Sequence, residues 1–137
     1  MNITVAIIGL GIMGRRMLEH MNRHDAFTPV ALWDPDHDAC QAAQQLCPQA
    51  VIASSADAAI DAAALIYLAC PPVPRHDLTL MAAAAGKAVF LEKPLGVDVA
   101  ASEAMVAAMQ HAGVPAAVNF TQAAGAALAD ISQAAQT

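Results

Sequence analysis

Apolar residues along this chain gather into short unbroken runs, separated by stretches in which they recur at helical spacing. Val5-Ala6-Ile7-Ile8 and Ala64-Leu65-Ile66-Tyr67-Leu68-Ala69 are apolar on successive positions, the pattern of strands covered on both faces. The pattern predicts strands at about residues 2–8, 28–34, 50–53, 64–70, 87–91 and 115–120. It predicts helices at about residues 12–23, 36–46, 56–61, 75–85, 98–112 and 122–135. Regular alternation of the two implies right-handed crossovers and a parallel sheet. The expected architecture is therefore one doubly wound α/β domain over residues 1–137, with strand order 3-2-1-4-5-6. A ligand would lie across the carboxyl ends of the strands, where the order reverses between the first and the fourth. Trp33 is expected in the core, because successive strand side chains alternate and Asp34 is expected on the ligand side. In the last segment Ala124, Leu128, Ile131 and Ala135 share one helical stripe that nothing visible caps, where a connection to more protein would be expected.

The junction of the first strand and first helix carries chemistry. Gly9-Leu10-Gly11-Ile12-Met13-Gly14 has the spacing GxGxxG between a strand and a helix. In such a turn the first glycine permits a tight bend and the second lets the backbone approach a pyrophosphate. The third lets the helix pack closely on the strand. The amides opening the helix, those of Ile12 and Met13 among them, then face the phosphates with the helix dipole behind them. Asp34 ends the second strand about 20 residues past Gly14, the separation at which a carboxylate meets the adenosine ribose. Free hydroxyls suit a carboxylate and a 2′-phosphate does not, so NAD is favoured over NADP, with Arg15 and Arg16 the side chains able to argue otherwise. The alternative for Asp34 is a turn aspartate capping the helix that begins near Asp36.

Composition narrows the classes. With a formal charge of −6 and only six Lys and Arg, the chain has no basic patch for nucleic acid. Hydrophobic content is 58%, much of it alanine, with no run long and apolar enough for a membrane span and no signal-peptide pattern at the start. The three cysteines, Cys40, Cys47 and Cys70, lack CxxC spacing and read as buried thiols of a cytoplasmic protein. His20 and His24 stand four apart on the first helix, but no third ligand accompanies them, so no metal site is expected.

The segment Gly86-Lys87-Ala88-Val89-Phe90-Leu91-Glu92-Lys93-Pro94-Leu95-Gly96 extends the reading. Together with the Gly9/Gly11/Gly14 turn, Asp34, the Cys70-Pro71-Pro72 loop, His76 and the strand Ala117-Val118-Asn119-Phe120, it resembles the NAD(P)-binding Rossmann domain of the glucose–fructose oxidoreductase and inositol dehydrogenase (Gfo/Idh/MocA) family. The resemblance implies an oxidoreductase that passes hydride between a nicotinamide and a hydroxyl-bearing carbon of a sugar or cyclitol. It places Lys93 beside the nicotinamide as the catalytic residue, with Glu92 next to it and Cys70, Pro71, Pro72 and His76 around the cofactor's loop. Bottom-up reasoning agrees for Lys93, an ammonium just past the end of a central strand, where it can meet an oxygen that gains charge. His76 reads equally as a partly exposed residue at a helix start, and Pro71 and Pro72 as residues that simply end the fourth strand.

Two features depart from the family pattern. Thr121-Gln122-Ala123 stands where relatives often carry an arginine, and no substrate domain follows within the 137 residues. The chain is thus expected to bind a dinucleotide, to meet a small-molecule substrate only with a second, C-terminal domain, and to self-associate through surfaces left uncovered. The rival class is a non-catalytic dinucleotide-binding sensor or interaction module.

Overall fold

The computed structural model describes residues 2–123 and 125–135. Its strands are β1 (Ile3–Ile8), β2 (Phe27–Trp33), β3 (Val51–Ile52), β4 (Leu65–Leu68), β5 (Ala88–Glu92) and β6 (Ala116–Asn119). The helices are α1 (Ile12–Arg23), α2 (His37–Leu46), α3 (Ala56–Asp61), α4 (Pro72–Ala84), α5 (Val99–Ala112) and α6 (Ala126–Ala134). The strands form one sheet in the order β3-β2-β1-β4-β5-β6, every described pairing parallel. This is the doubly wound arrangement expected from the alternation of strand and helix.

Alternation along the strands sorts the core into two layers. Ala6 and Ile8 of β1, with Ile66 and Leu68 of β4, face one side and pack with Ile60 of α3, Leu78 and Ala82 of α4, and Met105 and Met109 of α5. Val5 and Ile7, with Tyr67, face the other and pack with Leu18 and Met21 of α1 and with Cys40 and Ala43 of α2. Central strands apolar on both faces are what a sheet covered by helices on both sides requires. Pro29 lies inside β2, and the pairing of β1 with β2 slips there: Val5 pairs with Pro29 but Ala6 pairs with Ala31. Proline has no N–H for the ladder, so it is tolerated where the register breaks.

The largest departures from the sequence pattern fall at three places. β4 ends at Leu68, and α4 begins at Pro72, with Pro71 as its N-cap, three residues earlier than expected. A first turn has no use for its N–H groups, so a proline run starts the helix instead of delaying it. β3 shrinks to two residues at the sheet edge. α6 begins at Ala126, its described side chains are all exposed, and no side chain caps it. Of the predicted stripe Leu128, Ile131 and Ala135 are exposed, whereas Ala124 lies outside the described residues.

Candidate functional site

The carboxyl ends of β1, β2, β4 and β5 open into one crevice of about 730 Å³, within the range of small-ligand sites. Gly9, Gly11, Met13, Asp34, Cys70, Pro71, Glu92 and Lys93 all line it. The turn after β1 explains its own glycines in part. Gly9 has a positive φ of 90°, and a Cβ there would lie 2.4 Å from the Cys70 nitrogen, so the β1 turn and the β4 end touch backbone to backbone. A Cβ on Gly14 would lie 1.8 Å from the Gly9 carbonyl oxygen, so this glycine lets α1 sit against the strand end. Gly11 differs: its φ is −67° and an added Cβ would meet nothing within 4 Å. Nothing among the described residues requires glycine there.

The amides of the turn divide the same way. Gly9 donates to the Trp33 carbonyl at 3.0 Å, and Leu10 donates to Asp34 Oδ2 at 2.7 Å. Those of Gly11, Ile12, Met13 and Gly14 take no protein acceptor among the described residues, and α1 has no side-chain cap and no acid in its first turn. A helix start with free donors and no acid in its own first turn is suited to an anion.

Asp34 is half-buried and held at both oxygens, since Oδ1 accepts from the Asp36 amide at 2.8 Å. The N-cap of α2 is Asp36 and not Asp34, its side chain accepting from Asp38. Each Asp34 oxygen keeps a further lone pair, and the residue lines the crevice. Arg15 is engaged inside the protein, donating from Nη1 to the Leu10 carbonyl at 3.2 Å.

At the far end of the crevice Glu92 is 5% exposed, and its Oε1 accepts from the Tyr67 hydroxyl and from Asn119 Nδ2, the latter at 2.7 Å. Burial, reinforced by the neighbouring carboxylate, pushes the Tyr67 phenol far up, so it stays protonated and donates to Glu92. Burial likewise pushes the Cys70 thiol up, against the opposing pull of Arg75. Lys93 is exposed and takes no protein partner among the described residues.

Several expected site residues sit elsewhere. Leu10 is spent on the protein itself, with its side chain fully buried in the core and its amide held by Asp34. Ile12 and Gly14 border the turn without lining the crevice, and Pro72 belongs to the first turn of α4. His76 lies in the second turn of α4, pairs with Asp77 at 3.0 Å, and lines a neighbouring cavity with Pro72 and Leu95. The start of α4 at Pro72 has carried it past the crevice. Trp33 meets the core expectation in part: at the end of β2 it is half-buried, packs against the core layer, and also lines the crevice beside Asp34.

Sequence reasoning missed the contributions of Tyr67, Asn119 and above all Arg75. Tyr67 and Asn119 lie in runs that read as strand, and no sequence pattern singles out Arg75. A buried arginine leaves no periodic signature, because its partners are carbonyls distant in sequence. Among the described residues no group of three His, Cys, Asp or Glu is placed to hold a metal, and no helix is long and apolar enough to cross a membrane.

Comparison with known proteins gives this geometry a context. The model of the oxidoreductase family with the NAD-binding Rossmann fold (GFO_IDH_MocA) matches residues 3–120. D-apiose dehydrogenase of Paraburkholderia graminis is 36% identical over 134 residues, 91% of this chain and 36% of that protein. The crystal structure of myo-inositol 2-dehydrogenase from Lactobacillus plantarum superposes with a TM-score of 0.84 at 25% identity, over 92% of this chain and 38% of that one. Biliverdin reductase from Synechocystis, solved with biliverdin and NADP+, shares the fold with a TM-score of 0.86 at 21% identity, over 96% and 42%. The chain therefore spans about a third of the length of the curated relative it matches.

Proposed function

Since the chain belongs to the Gfo/Idh/MocA oxidoreductase family, we propose that it is the cofactor half of an enzyme that moves hydride between a nicotinamide dinucleotide and a hydroxyl-bearing carbon of a sugar- or cyclitol-like substrate. The observation that carries the reading is Gly11. Its missing side chain leaves open space beside four unengaged amides, a cradle that a Cβ would obstruct and that a pyrophosphate fits. The amides of Gly11, Ile12 and Met13 hold the phosphates, and the free lone pairs of Asp34 accept from the adenosine ribose. Cys70 and Pro71 wall the middle of the crevice. The names of the apiose and inositol enzymes support the substrate class.

The bound nicotinamide supplies the hydride donor or acceptor. Lys93 hydrogen-bonds the substrate oxygen and exchanges a proton with it as charge develops there. Glu92, fixed by Tyr67 and Asn119, forms the floor below. Residues 1–137 make one dinucleotide-binding domain, and recognition of the substrate falls to a second domain. The chain alone then binds cofactor and turns over little substrate. The unpaired thiols of Cys40, Cys47 and Cys70 support a reducing, cytoplasmic setting.

Asp34 carries the preference for NAD. Its carboxylate suits free ribose hydroxyls, and Arg15, one of the two arginines able to favour a 2′-phosphate, is held by the Leu10 carbonyl. Titration of the purified chain with NADH and NADPH, followed by nucleotide fluorescence, tests both parts. NADH is expected to bind the more tightly, and Asp34→Arg to reverse the order. Binding of neither nucleotide would sink the proposal, and tighter binding of NADPH by the unaltered chain would sink the preference.

A further inference from the structure

Arg75 is 2% exposed, yet it has no carboxylate partner among the described residues. A guanidinium stripped of water has to place its donors on protein acceptors, and here all of them are backbone carbonyls. Nε and Nη2 donate to the Cys70 carbonyl at 3.0 and 2.7 Å. Nη1 donates to the carbonyls of both Glu92 and Pro94, the second at 2.5 Å. Those two carbonyls stand on either side of Lys93. One side chain on α4 therefore pins the loop after β4 and the loop after β5, and holds the backbone around the ammonium proposed to meet the substrate.

We propose that Arg75 is the positioning residue for Lys93. The inference rests on the nucleotide reading of the crevice. The argument is geometric: an exposed lysine on a free loop would sample many directions, whereas here the flanking carbonyls share a single rigid donor. The planar fork matters as well as the charge. Lysine at position 75 offers a point charge on a flexible stem and cannot span the Cys70 carbonyl and the pair around Lys93 with the same geometry. The Thr79 hydroxyl, donating to the Arg75 carbonyl at 2.8 Å, fastens the same turn of α4 from below.

The chain has two lysines, Lys87 and Lys93, so reductive 13C-dimethylation labels only these and the N-terminal amine. In the wild type, NADH is expected to displace the Lys93 methyl resonance and leave Lys87, at the other end of β5, unmoved. In Arg75→Met the displacement of the Lys93 signal should be lost, while ADP, which does not reach the β5 end, binds within about twofold of wild type. Arg75→Lys should fold and recover only part of the displacement. A Lys93 signal that responds to NADH equally in wild type and both variants overturns the role of Arg75 while leaving nucleotide binding intact. Thermal melts showing that both variants are unfolded would also overturn it, by reducing Arg75 to scaffold. A wild type that binds neither ADP nor NADH overturns this inference together with the reading beneath it.

Discussion

Gly11 and Gly14 stand three residues apart in one motif and are glycine for different reasons. Gly14 is required by the fold, because a methyl there would collide with the Gly9 carbonyl, whereas Gly11 has ordinary dihedral angles and open space around it. Gly14→Ala is therefore expected to destabilise the chain by about 3 kcal/mol or more, as overpacking against backbone does. Gly11→Ala is expected to leave stability unchanged or raise it by up to about 1 kcal/mol, since alanine loses less entropy on folding. It should nonetheless weaken NADH binding at least about tenfold, a loss near 1.4 kcal/mol. Urea unfolding and NADH titration of the two variants check the contrast. Equal stability losses, or unimpaired binding by Gly11→Ala, would contradict it. The division of roles was legible in the spacing, which expects the second glycine to leave room for a pyrophosphate and the third to pack the helix; the atoms each glycine meets were not, because they depend on where the end of β4 arrives.

Among the elements, α4 and α6 show opposite limits of sequence reading. α4 begins within a run of prolines that usually signals a loop, because its first turn needs no N–H donors and its inner face is buried against β4 and β5. That early start moves His76 out of the crevice and brings Arg75 in. α6 has the right periodicity, but its described side chains are all exposed and supply little tertiary packing to a nine-residue helix. Isolated helices of that length are marginal in water. Amides of α6 should accordingly exchange with solvent about as fast as an unstructured segment, whereas those of β1, between β2 and β4, should exchange only on global opening. Hydrogen-exchange mass spectrometry resolves the two segments, and protection of α6 equal to that of β1 would contradict this account.

For the molecule as a whole, burial leaves a pH signature. Cys40, Cys47, Cys70 and Tyr67 all have pKa values pushed up, each chiefly by desolvation. The folded state therefore keeps protons that the unfolded chain gives up once pH exceeds the ordinary thiol value of about 8.5. Unfolding then releases protons, so stability is full below that pH and falls as pH rises above it. Thermal melts in reductant should show a lower midpoint at about pH 9.5 than at about pH 7.5, and an unchanged or higher midpoint would count against the buried thiols. Sequence alone determined the strand order, the two-faced sheet and the edge at which the crevice opens, because hydrophobic period, strand–helix alternation and crossover handedness are local or nearly local properties. Tertiary structure alone decided that Asp34 grips the glycine turn, that Tyr67 and Asn119 hold Glu92, and that Arg75 braces the backbone around Lys93. Each of those contacts joins a polar atom to a partner 17 to 27 residues away. Such pairings follow from where strand ends converge, and no spacing along the chain encodes them.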